Sequence, residues 1–274
     1  MTVTAGSGKR SRSVSAPDLK VNVANMRDAL GAIATRAQAG QGYTLFTANL
    51  DHLVKLRTNR RFREAYHRAD LVTADGWPIV WRIKQDGHRL QRTTGADLLE
   101  PVCRQAAEQG MAVYFVGPGA ESQAMALDAL TRWLPALRVA GREAPRFADR
   151  LAEDAVDAMA LRIKASGARV CIVSLGAPKQ ELLADMLHER CPGVGFLCFG
   201  AALDFVSGHA ARAPGWMRRL GLEWSWRLVR SPRRMAGRYA HCAVWFLALA
   251  LPRLFPWAPR LTWIAPSAPD SMAA

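Results

Sequence analysis

The sequence predicts an α/β fold in which a mostly parallel sheet is covered by helices. Between about residue 21 and residue 206, short apolar runs alternate with amphipathic stretches whose apolar residues recur at helical spacing. This alternation is typical of βαβ units. Three of the apolar runs, VYFV, VCIVSL and FLCF, contain no alternation of apolar and polar residues. Such strands are buried on both faces, as in a parallel sheet between two layers of helices.

Each predicted strand is an apolar run that ends in a polar residue or a turn. YTLFTANL and DLVTADG end in polar side chains and glycine, whereas VYFVGPG and ARVCIVSLGAP run into glycine and proline, which mark turns. The strand FLCF passes into a turn at Gly200. The predicted strand segments, in order, are 43–50, 70–76, 111–119, 168–178 and 195–205.

Each predicted helix has its apolar residues on one face. Segment 51–69 has a basic face opposite the apolar one, and Gly110 and Gly167 end two of the other helices. The predicted helices cover 26–39, 51–69, 95–110, 120–135, 150–167 and 179–191. Residues 1–20 are small, polar and basic, without the apolar stretch of a signal peptide. We interpret them as a disordered tail.

Residues 207–274 differ in composition from the rest of the chain and predict a basic helical appendage. Eight arginines lie between residues 212 and 238 beside a single acidic residue, Glu223, and six of the nine tryptophans lie between 216 and 263. The apolar run CAVWFLALAL is shorter than the ~20 residues that span a bilayer. This mixture suits a helix docked on an anionic membrane surface. The alternative is a solvated basic helix whose tryptophans belong to the core.

The net charge of +14 indicates an anionic partner, which is nucleic acid, an anionic membrane or a phosphorylated substrate. The five cysteines form no C-x-x-C pair and the six histidines no H-x-x-x-H pair. We therefore predict no metal site and no disulfide framework. The sequence has no Walker A, G-x-G-x-x-G or G-x-S-x-G pattern, so no standard fingerprint identifies a nucleotide site or a hydrolase nucleophile.

The candidate site residues follow the predicted strands, because open parallel sheets bind ligands at the carboxyl ends of their strands. Asp75 is either a turn residue that caps the next helix or a general base. Thr47 and Asn49 are either helix caps or ligand contacts. Arg92 either pairs with Asp97 or binds a phosphate. The positions at the strand ends are Thr47, Asn49, Asp75, Gly76, 117–119, 176–180 and 200–204.

Six motifs follow one another along the chain and together resemble one family. They are TANLDHLVKL, ADLVTADGWPIV, QRTTGADLLEPV, VYFVGPG, VSLGAPKQE and FGAALDFVSGHAARAPGWMRRLGLEWSWRLVRSPRRMAGRY. In order and spacing they resemble the bacterial WecG/TagA/CpsF glycosyltransferases (glycosyltransferase family 26). The resemblance covers roughly residues 21–245.

The resemblance implies an inverting, metal-independent enzyme without a cofactor. Such an enzyme moves a sugar (N-acetylmannosamine, its uronic acid or glucose) from a UDP-sugar to a polyprenyl-diphosphate-linked glycan in cell-surface or exopolysaccharide synthesis. It implies a Rossmann-like catalytic domain at 21–206, and an appendage at 207–274 that docks on the membrane and closes the active site. The expected location is the cytoplasmic face of the plasma membrane, where the protein is bound peripherally to an anionic surface. The oligomeric state stays open, and a homo-oligomer is one option.

A nucleic-acid-binding α/β protein that uses the basic tail is the alternative from another class. Clustered arginines would give salt-dependent binding to DNA or RNA. The arginines here stand beside an apolar Trp/Leu run, and no RNA-binding signature is present. We therefore predict no nucleic-acid partner.

The resemblance also implies roles for individual residues. Asp75 matches the catalytic aspartate and Thr47 the active-site threonine. A carboxylate can take the proton of an acceptor hydroxyl, and arginines and helix amides can stabilise a leaving diphosphate without a metal. The implied substrate-binding residues are Asn49, Arg92, Gly176, Lys179, Gln180, Arg227, Arg234 and Arg238.

Two details of these motifs carry further expectations. Within GAPKQE we expect Gln180 to face the donor sugar or its diphosphate, Lys179 to add charge near the phosphates, and Glu181 to be structural. The family often reads D-G-x-G after the aspartate, whereas this chain reads DGWP. Trp77 and Pro78 are thereby expected to reshape the acceptor side.

Overall fold

The computed structural model describes residues 19–145, 152–251, 254–255 and 261–264. Within them the strands are β1 (Leu19–Val21), β2 (Tyr43–Ala48), β3 (Leu71–Ala74), β4 (Ala112–Val116), β5 (Arg138–Glu143), β6 (Val170–Val173), β7 (Gly195–Cys198) and β8 (Leu261–Trp263). The helices are α1 (Met26–Gln38), α2 (Leu50–Thr58), α3 (Arg60–Arg68), α4 (Trp77–Gln85), α5 (Gly95–Glu108), α6 (Ala120–Trp133), α7 (Glu153–Ala165), α8 (Lys179–Arg190), α9 (Ala202–Val206), α10 (Gly215–Arg219), α11 (Glu223–Arg230) and α12 (Pro232–Ala250).

The main sheet has six parallel strands in the order β3-β2-β7-β6-β4-β5. The short strands β1 and β8 pair separately, also in parallel. The predicted α/β class with a mostly parallel sheet is thus confirmed. All six carboxyl ends of the main sheet lie at one edge, which brings the candidate residues at the strand ends to the same side of the molecule.

The sheet is buried on both faces. Phe46 and Phe196 point into a cluster formed with α2, α3, α7, α8 and α12, whereas their neighbours Leu45 and Leu197 point into a cluster with α1, α5, α6 and α9. Successive side chains of a strand face opposite sides of the sheet. Both sides here are covered by helices, and this is why the strands are uninterrupted apolar runs.

The segment predicted as one helix over 51–69 forms two helices. Asn59 ends α2, and its side-chain oxygen accepts a hydrogen bond from the Phe62 backbone N–H at 3.0 Å, which caps α3. Asparagine is among the best residues at a helix N-terminus. The apolar periodicity continues across this break, so periodicity alone predicts one helix where the cap makes two.

Five further elements were absent from the sequence prediction. These are α4, α9, the edge strand β5, and the paired strands β1 and β8. Helix α9 lies inside the segment 195–205 predicted as a strand and turn, and β8 corrects the expectation that the segment after residue 206 contains no strand. β5 is largely polar and lies at the edge of the sheet, so it lacks the apolar run by which the other strands were found. Of the predicted tail, residues 1–18 lie outside the described residues, while Leu19 and Lys20 belong to β1.

The described part of the C-terminal segment packs on the α/β core in some places and is exposed in others. Trp245 and Leu249 of α12 are buried in the same cluster as α2. In contrast, Trp216 and Trp224 are 60% and 51% exposed. The tryptophans are therefore divided between the core and the surface. No helix among the described residues has the length and apolar content needed to cross a membrane.

Candidate active site

The candidate site begins where β2 and β3 leave the sheet side by side. Ala48 and Ala74 are paired in the sheet, so the residues that follow them emerge together. The Asp75 backbone N–H donates to the Ala48 carbonyl at 2.8 Å. Gly76 lies against Asn49: a Cβ at position 76 would lie 3.3 Å from the Asn49 Cβ. This close approach holds Asp75 beside the start of α2.

Asn49 caps α2, which is the first of the two roles predicted for it from the sequence. Its side-chain oxygen accepts from the backbone N–H groups of Asp51 and His52, at 3.1 Å and 3.4 Å. Asn49 also lines a cavity. The structure is therefore compatible with both interpretations of Asn49.

A cavity of about 430 Å³ lies between these strand ends and helices α11 and α12. Its size is within the range of small-molecule sites. The cavity is lined by both polar and aromatic side chains. The polar side chains are Asn49, Asp51, Asp75, Arg92, Glu223 and Arg227, and the aromatic ones are Trp77, Trp224, Tyr239 and Phe246.

The Asp75 carboxyl at this cavity has a pKa well above its usual range. Burial raises the pKa of Asp75 to about 7, Arg227 and Arg92 lower it, and Glu223 raises it. Burial outweighs the two arginines because water solvates the carboxylate poorly there. A carboxyl with a pKa near neutrality can take up a proton at physiological pH.

Two arginines reach this carboxyl from opposite parts of the chain. Arg92 precedes α5, whereas Arg227 lies on α11, and both lie near Glu223. Arg227 donates a hydrogen bond to the Glu223 carboxylate at 2.9 Å. The Arg92 guanidinium forms a second ion pair with the same carboxylate, at 3.7 Å. Arg227 also lies over the ring of Phe205, with 5.2 Å to its centroid. Glu223 thus holds both guanidinium groups at the cavity.

Among the described residues, no ion pair joins Arg92 to Asp97, which was one of the two interpretations of Arg92. Asp97 instead pairs with Arg212 and Arg218, at 2.5 Å and 3.6 Å. Arg92 donates to the Arg218 backbone carbonyl at 3.3 Å. Helix α10 and the segment before it are thereby attached to the start of α5. The Arg92 side chain lines the cavity.

Other residues implied by the resemblance lie away from the cavity walls. Thr47 is 4% exposed, and its hydroxyl donates to the Cys198 carbonyl at 3.2 Å. Gly176, with φ at 75°, and Lys179 lie where β6 passes into α8. None of the three is among the residues that line the cavity. The side chains of Arg234 and Arg238, both on α12, lie outside the described residues.

Gln180 is 2% exposed, and both ends of its amide are used inside the protein. Its nitrogen donates to Glu181 Oε1 at 2.7 Å, and its oxygen accepts from the Gly200 backbone N–H at 2.9 Å. These bonds join the start of α8 to the residues after β7. The expectation that Gln180 faces the donor stays a prediction.

Glu181 is fully buried beside Gln180. Burial raises the pKa of Glu181 to about 7. Its Oε1 lies 4.0 Å from His52 Nε2, and no hydrogen-bond partner for Oε2 is present among the described residues. The His52 ring is in turn 2.6 Å from the Tyr66 hydroxyl. Glu181 therefore belongs to a buried polar cluster with Gln180, His52 and Tyr66, and its structural role stays a prediction.

Sequence reasoning did not identify Glu223, Trp224, Tyr239 or Phe246 as site residues. Tyr239 and Phe246 lie seven residues apart on α12, a spacing that places them on one helix face. That periodicity is visible in the sequence. Which face of α12 turns to the cavity depends on how α12 packs against α2 and α4, and no local pattern records this.

No group of three or more His, Cys, Asp or Glu side chains in the described part of the chain is arranged to hold a metal ion. The polar groups of the cavity are instead carboxylates, an amide and guanidinium groups. These can bind hydroxyl groups and phosphates directly.

A comparison with protein families adds an independent observation. The model of the family described as "Glycosyl transferase WecG/TagA/CpsF family" matches residues 14–258. The match covers most of the chain and every residue of the cavity.

Proposed function

We propose, from the finding that the chain belongs to the WecG/TagA/CpsF family of glycosyl transferases, that it moves a sugar from a UDP-sugar to a polyprenyl-diphosphate-linked glycan with inversion at the anomeric carbon. The family is one of bacterial cell-surface glycosyltransferases, and transferase activity follows from membership. N-acetylmannosamine, its uronic acid and glucose are the donor sugars to be tested. The observation that carries the proposal is the Asp75 carboxyl, with its pKa near 7, in a cavity that also contains two arginines.

Asp75 is the general base of the proposed reaction. Its carboxylate accepts the proton of an acceptor hydroxyl while the hydroxyl oxygen forms a bond to the anomeric carbon. The bond between that carbon and the diphosphate oxygen breaks, and UDP leaves with the electron pair. Attack from the side opposite the leaving group inverts the anomeric centre.

The arginines stabilise the negative charge that develops on the leaving diphosphate. Arg92 and Arg227 are both directed to the cavity and both influence the Asp75 pKa. Guanidinium groups form paired hydrogen bonds with phosphate oxygens. Arg234 and Arg238, on the same α12 helix that lines the cavity, belong to this proposal as additional diphosphate contacts.

The remaining implied residues act in this proposal at the neighbouring strand ends. Gly176 and Lys179 supply amides and a positive charge where β6 ends, near the start of α8. Thr47 and Gln180 hold the end of β7 and the turn after it, through hydrogen bonds with Cys198 and Gly200. Asn49 contacts substrate from the cavity wall while its side-chain oxygen caps α2.

Peripheral attachment to an anionic membrane forms part of the proposed function. α10, α11 and α12 expose Trp216, Val229 and Leu247 at 60%, 78% and 52%. The exposed arginines Arg219 and Arg230 are on the same helices. Apolar side chains together with arginines favour a helix at the surface of an anionic bilayer. This attachment would place the cavity near lipid-linked substrates at the cytoplasmic face.

A substrate screen tests the proposed reaction. Purified enzyme is mixed with each of several UDP-sugars and with polyprenyl-diphosphate-linked acceptors, and UDP release is measured with and without acceptor. We expect UDP release that requires both substrates. Release that never depends on an acceptor would contradict the proposed transfer.

A second experiment compares the membrane with nucleic acid as the anionic partner. Flotation with anionic and neutral liposomes is run beside DNA and RNA binding over a range of salt concentrations. We expect flotation with anionic liposomes only. We also expect Leu247→Asp to weaken it several-fold, because a charge on the inserted face opposes insertion. Salt-dependent binding to DNA or RNA without flotation would favour the nucleic-acid alternative.

A further inference from the structure

Three aromatic rings pack against one another at the cavity, and two of them, Trp77 and Phe246, line it. Trp77 and Trp81 stack with their ring centroids 6.1 Å apart and their planes 20° apart. Phe246 of α12 lies against both rings, 5.9 Å from Trp77 and 5.8 Å from Trp81. We call these three residues the aromatic shelf. It joins α4 of the core to α12 of the C-terminal segment.

The indole of Trp77 is exposed although its surroundings hold it firmly. It remains 48% exposed and lines the cavity together with Phe246. Gly221 packs beside it: a Cβ at position 221 would lie 3.4 Å from the Trp77 Cβ and Cγ. Gly221 has φ at 73°, a conformation that favours glycine. The indole is therefore positioned before any ligand binds, which lowers the entropic cost of binding.

The backbone fixes the distance between this ring and the proposed base. Asp75 follows β3, Gly76 caps α4, and Trp77 is the first residue of α4. The next turn of α4 buries Ile79, Val80 and Ile83 in the core, which anchors the helix. Trp77 thus stands two residues from Asp75 on a helix that cannot shift without exposing apolar side chains.

A half-exposed indole beside a carboxylate has the chemistry of a sugar subsite. A pyranose ring has faces made of C–H groups and a rim of hydroxyl groups. Its face packs on an aromatic ring by apolar contact, and its rim hydroxyls form hydrogen bonds with neighbouring polar groups. In this cavity the carboxylate and amide of Asp75 and Asn49 are such polar groups.

We propose that Trp77 is the platform on which the acceptor sugar lies, with the reacting hydroxyl directed to Asp75. This inference rests on the proposed function, because the base of a glycosyl transfer takes its proton from the acceptor and the sugar beside Asp75 is then the acceptor sugar. The arginines Arg92 and Arg227 are assigned to the leaving diphosphate of the donor. Trp81 and Phe246 support the platform from behind and from the side.

Equilibrium binding tests the platform without requiring turnover. The probes are farnesyl-diphosphate-linked glucose, N-acetylglucosamine and galactose, with farnesyl diphosphate as the probe that lacks a sugar. Binding is measured by calorimetry with Trp77→Ala, Trp77→Phe and the wild-type protein. Trp133→Ala is the matched control, because Trp133 is 56% exposed at the end of α6 and is not a cavity residue.

We expect Trp77→Ala to weaken binding of the preferred sugar-bearing probe about tenfold, which corresponds to about 1.4 kcal/mol. Trp77→Phe retains an aromatic face and should lose about threefold or less. Trp133→Ala should bind like the wild-type protein. Circular dichroism and thermal unfolding of each variant identify any loss that is due to misfolding.

Steady-state kinetics with the same acceptors supply the second readout. We expect Trp77→Ala to raise the KM for acceptor and leave the KM for the UDP-sugar unchanged. An equal loss of affinity for farnesyl diphosphate, or no loss for any sugar-bearing probe, would overturn the platform. Binding that depends on Trp77 in a protein that transfers no sugar would uphold the platform and reject the proposed reaction.

Discussion

Asp75 and Glu181 are two carboxyl groups at the same edge of the same sheet, with opposite surroundings. Asp75 follows the edge strand β3, and Glu181 lies in the first turn of α8, after the central strand β6. Burial raises the pKa of each to about 7. Asp75 opens into the cavity beside Arg92 and Arg227. Glu181 is fully buried and accepts a hydrogen bond from Gln180.

This difference shows that a raised pKa does not identify a catalytic group by itself. Burial raises the pKa of any carboxyl because the charged form loses its hydration. Catalysis also requires that substrate reach the group and that charges nearby suit the reaction. Asp75 lines the cavity beside two arginines, whereas Glu181 is fully buried and is not among the residues that line the cavity. In the proposed reaction, the same physical effect therefore serves reactivity at one strand end and packing at the other.

The proposed difference between Asp75 and Glu181 predicts its largest effect on catalysis when Asp75 is replaced. We expect Asp75→Asn to lower kcat about 10³-fold, because an amide cannot take the proton of the acceptor hydroxyl. Calorimetry with the UDP-sugar should give an affinity close to that of the wild-type protein. Glu181→Gln is the matched control and should keep kcat within a few-fold. Near-normal turnover by Asp75→Asn would remove Asp75 as the base.

Arg227 should have the next largest effect and should also change the pH dependence. The proposed mechanism requires the Asp75 carboxylate, so kcat/KM of the wild-type enzyme should fall as the pH drops below about 7. Arg227 lowers the pKa of Asp75, so Arg227→Gln should move this acidic limb to higher pH. It should also reduce kcat about 10²-fold, through the loss of a cation at the leaving group.

The control for Arg227 is Arg61→Gln, because Arg61 is exposed on α3 and does not line the cavity. It should leave both the rate and the fall of kcat/KM at acidic pH unchanged. This fall should also remain in Glu181→Gln. If it disappeared in Glu181→Gln, the titrating group would be Glu181, and Glu181 rather than Asp75 would be the carboxyl on which activity depends.

Stability should respond to both carboxyl groups in the same direction. Folding raises the pKa of Glu181 from 4.5 to about 7. The folded state keeps its proton while the unfolded state releases it, so stability falls as the pH rises from about 4.5 to about 7 and then levels off. The loss is on the order of 3 kcal/mol for one such group.

Urea unfolding at pH 4.5 and pH 8 measures this loss. Glu181→Gln should flatten the dependence and be more stable than the wild-type protein at pH 8. Asp75→Asn should flatten it similarly, since folding raises the pKa of Asp75 from 3.8. The two variants would then agree in stability and differ in activity. An unchanged slope in Glu181→Gln would mean that its carboxyl does not titrate in this range.

Gln180 should have the smallest effect on the rate. Gln180→Met removes the hydrogen bonds to Glu181 and Gly200 but fills the same volume. We expect kcat to fall about threefold and the thermal midpoint to drop by a few degrees, since two buried hydrogen bonds are lost. A fall as large as that of Asp75→Asn, with weaker donor binding, would support the prediction that Gln180 contacts the donor.

The sequence alone determined the parts of this protein that depend on local pattern. The unbroken apolar runs of β4, β6 and β7 indicated strands buried on both faces, and the parallel sheet then placed Asn49 and Asp75 at one edge. Asn49 at a helix start predicted its cap. These features follow from side-chain periodicity and from the hydrogen-bonding needs of helix ends, which neighbouring residues satisfy.

Only the tertiary structure decided which of the candidate residues share a cavity. Arg227 lies about 150 positions from Asp75 in the sequence, and α11 must fold back over β3 to bring the two together. The exposure of Glu181 and Asp75, and therefore the different roles proposed for them, depends on what packs over each strand end. An apolar run can predict a buried strand, but the burial of a single carboxyl after the strand depends on atoms from distant segments, and no local pattern of residues records it.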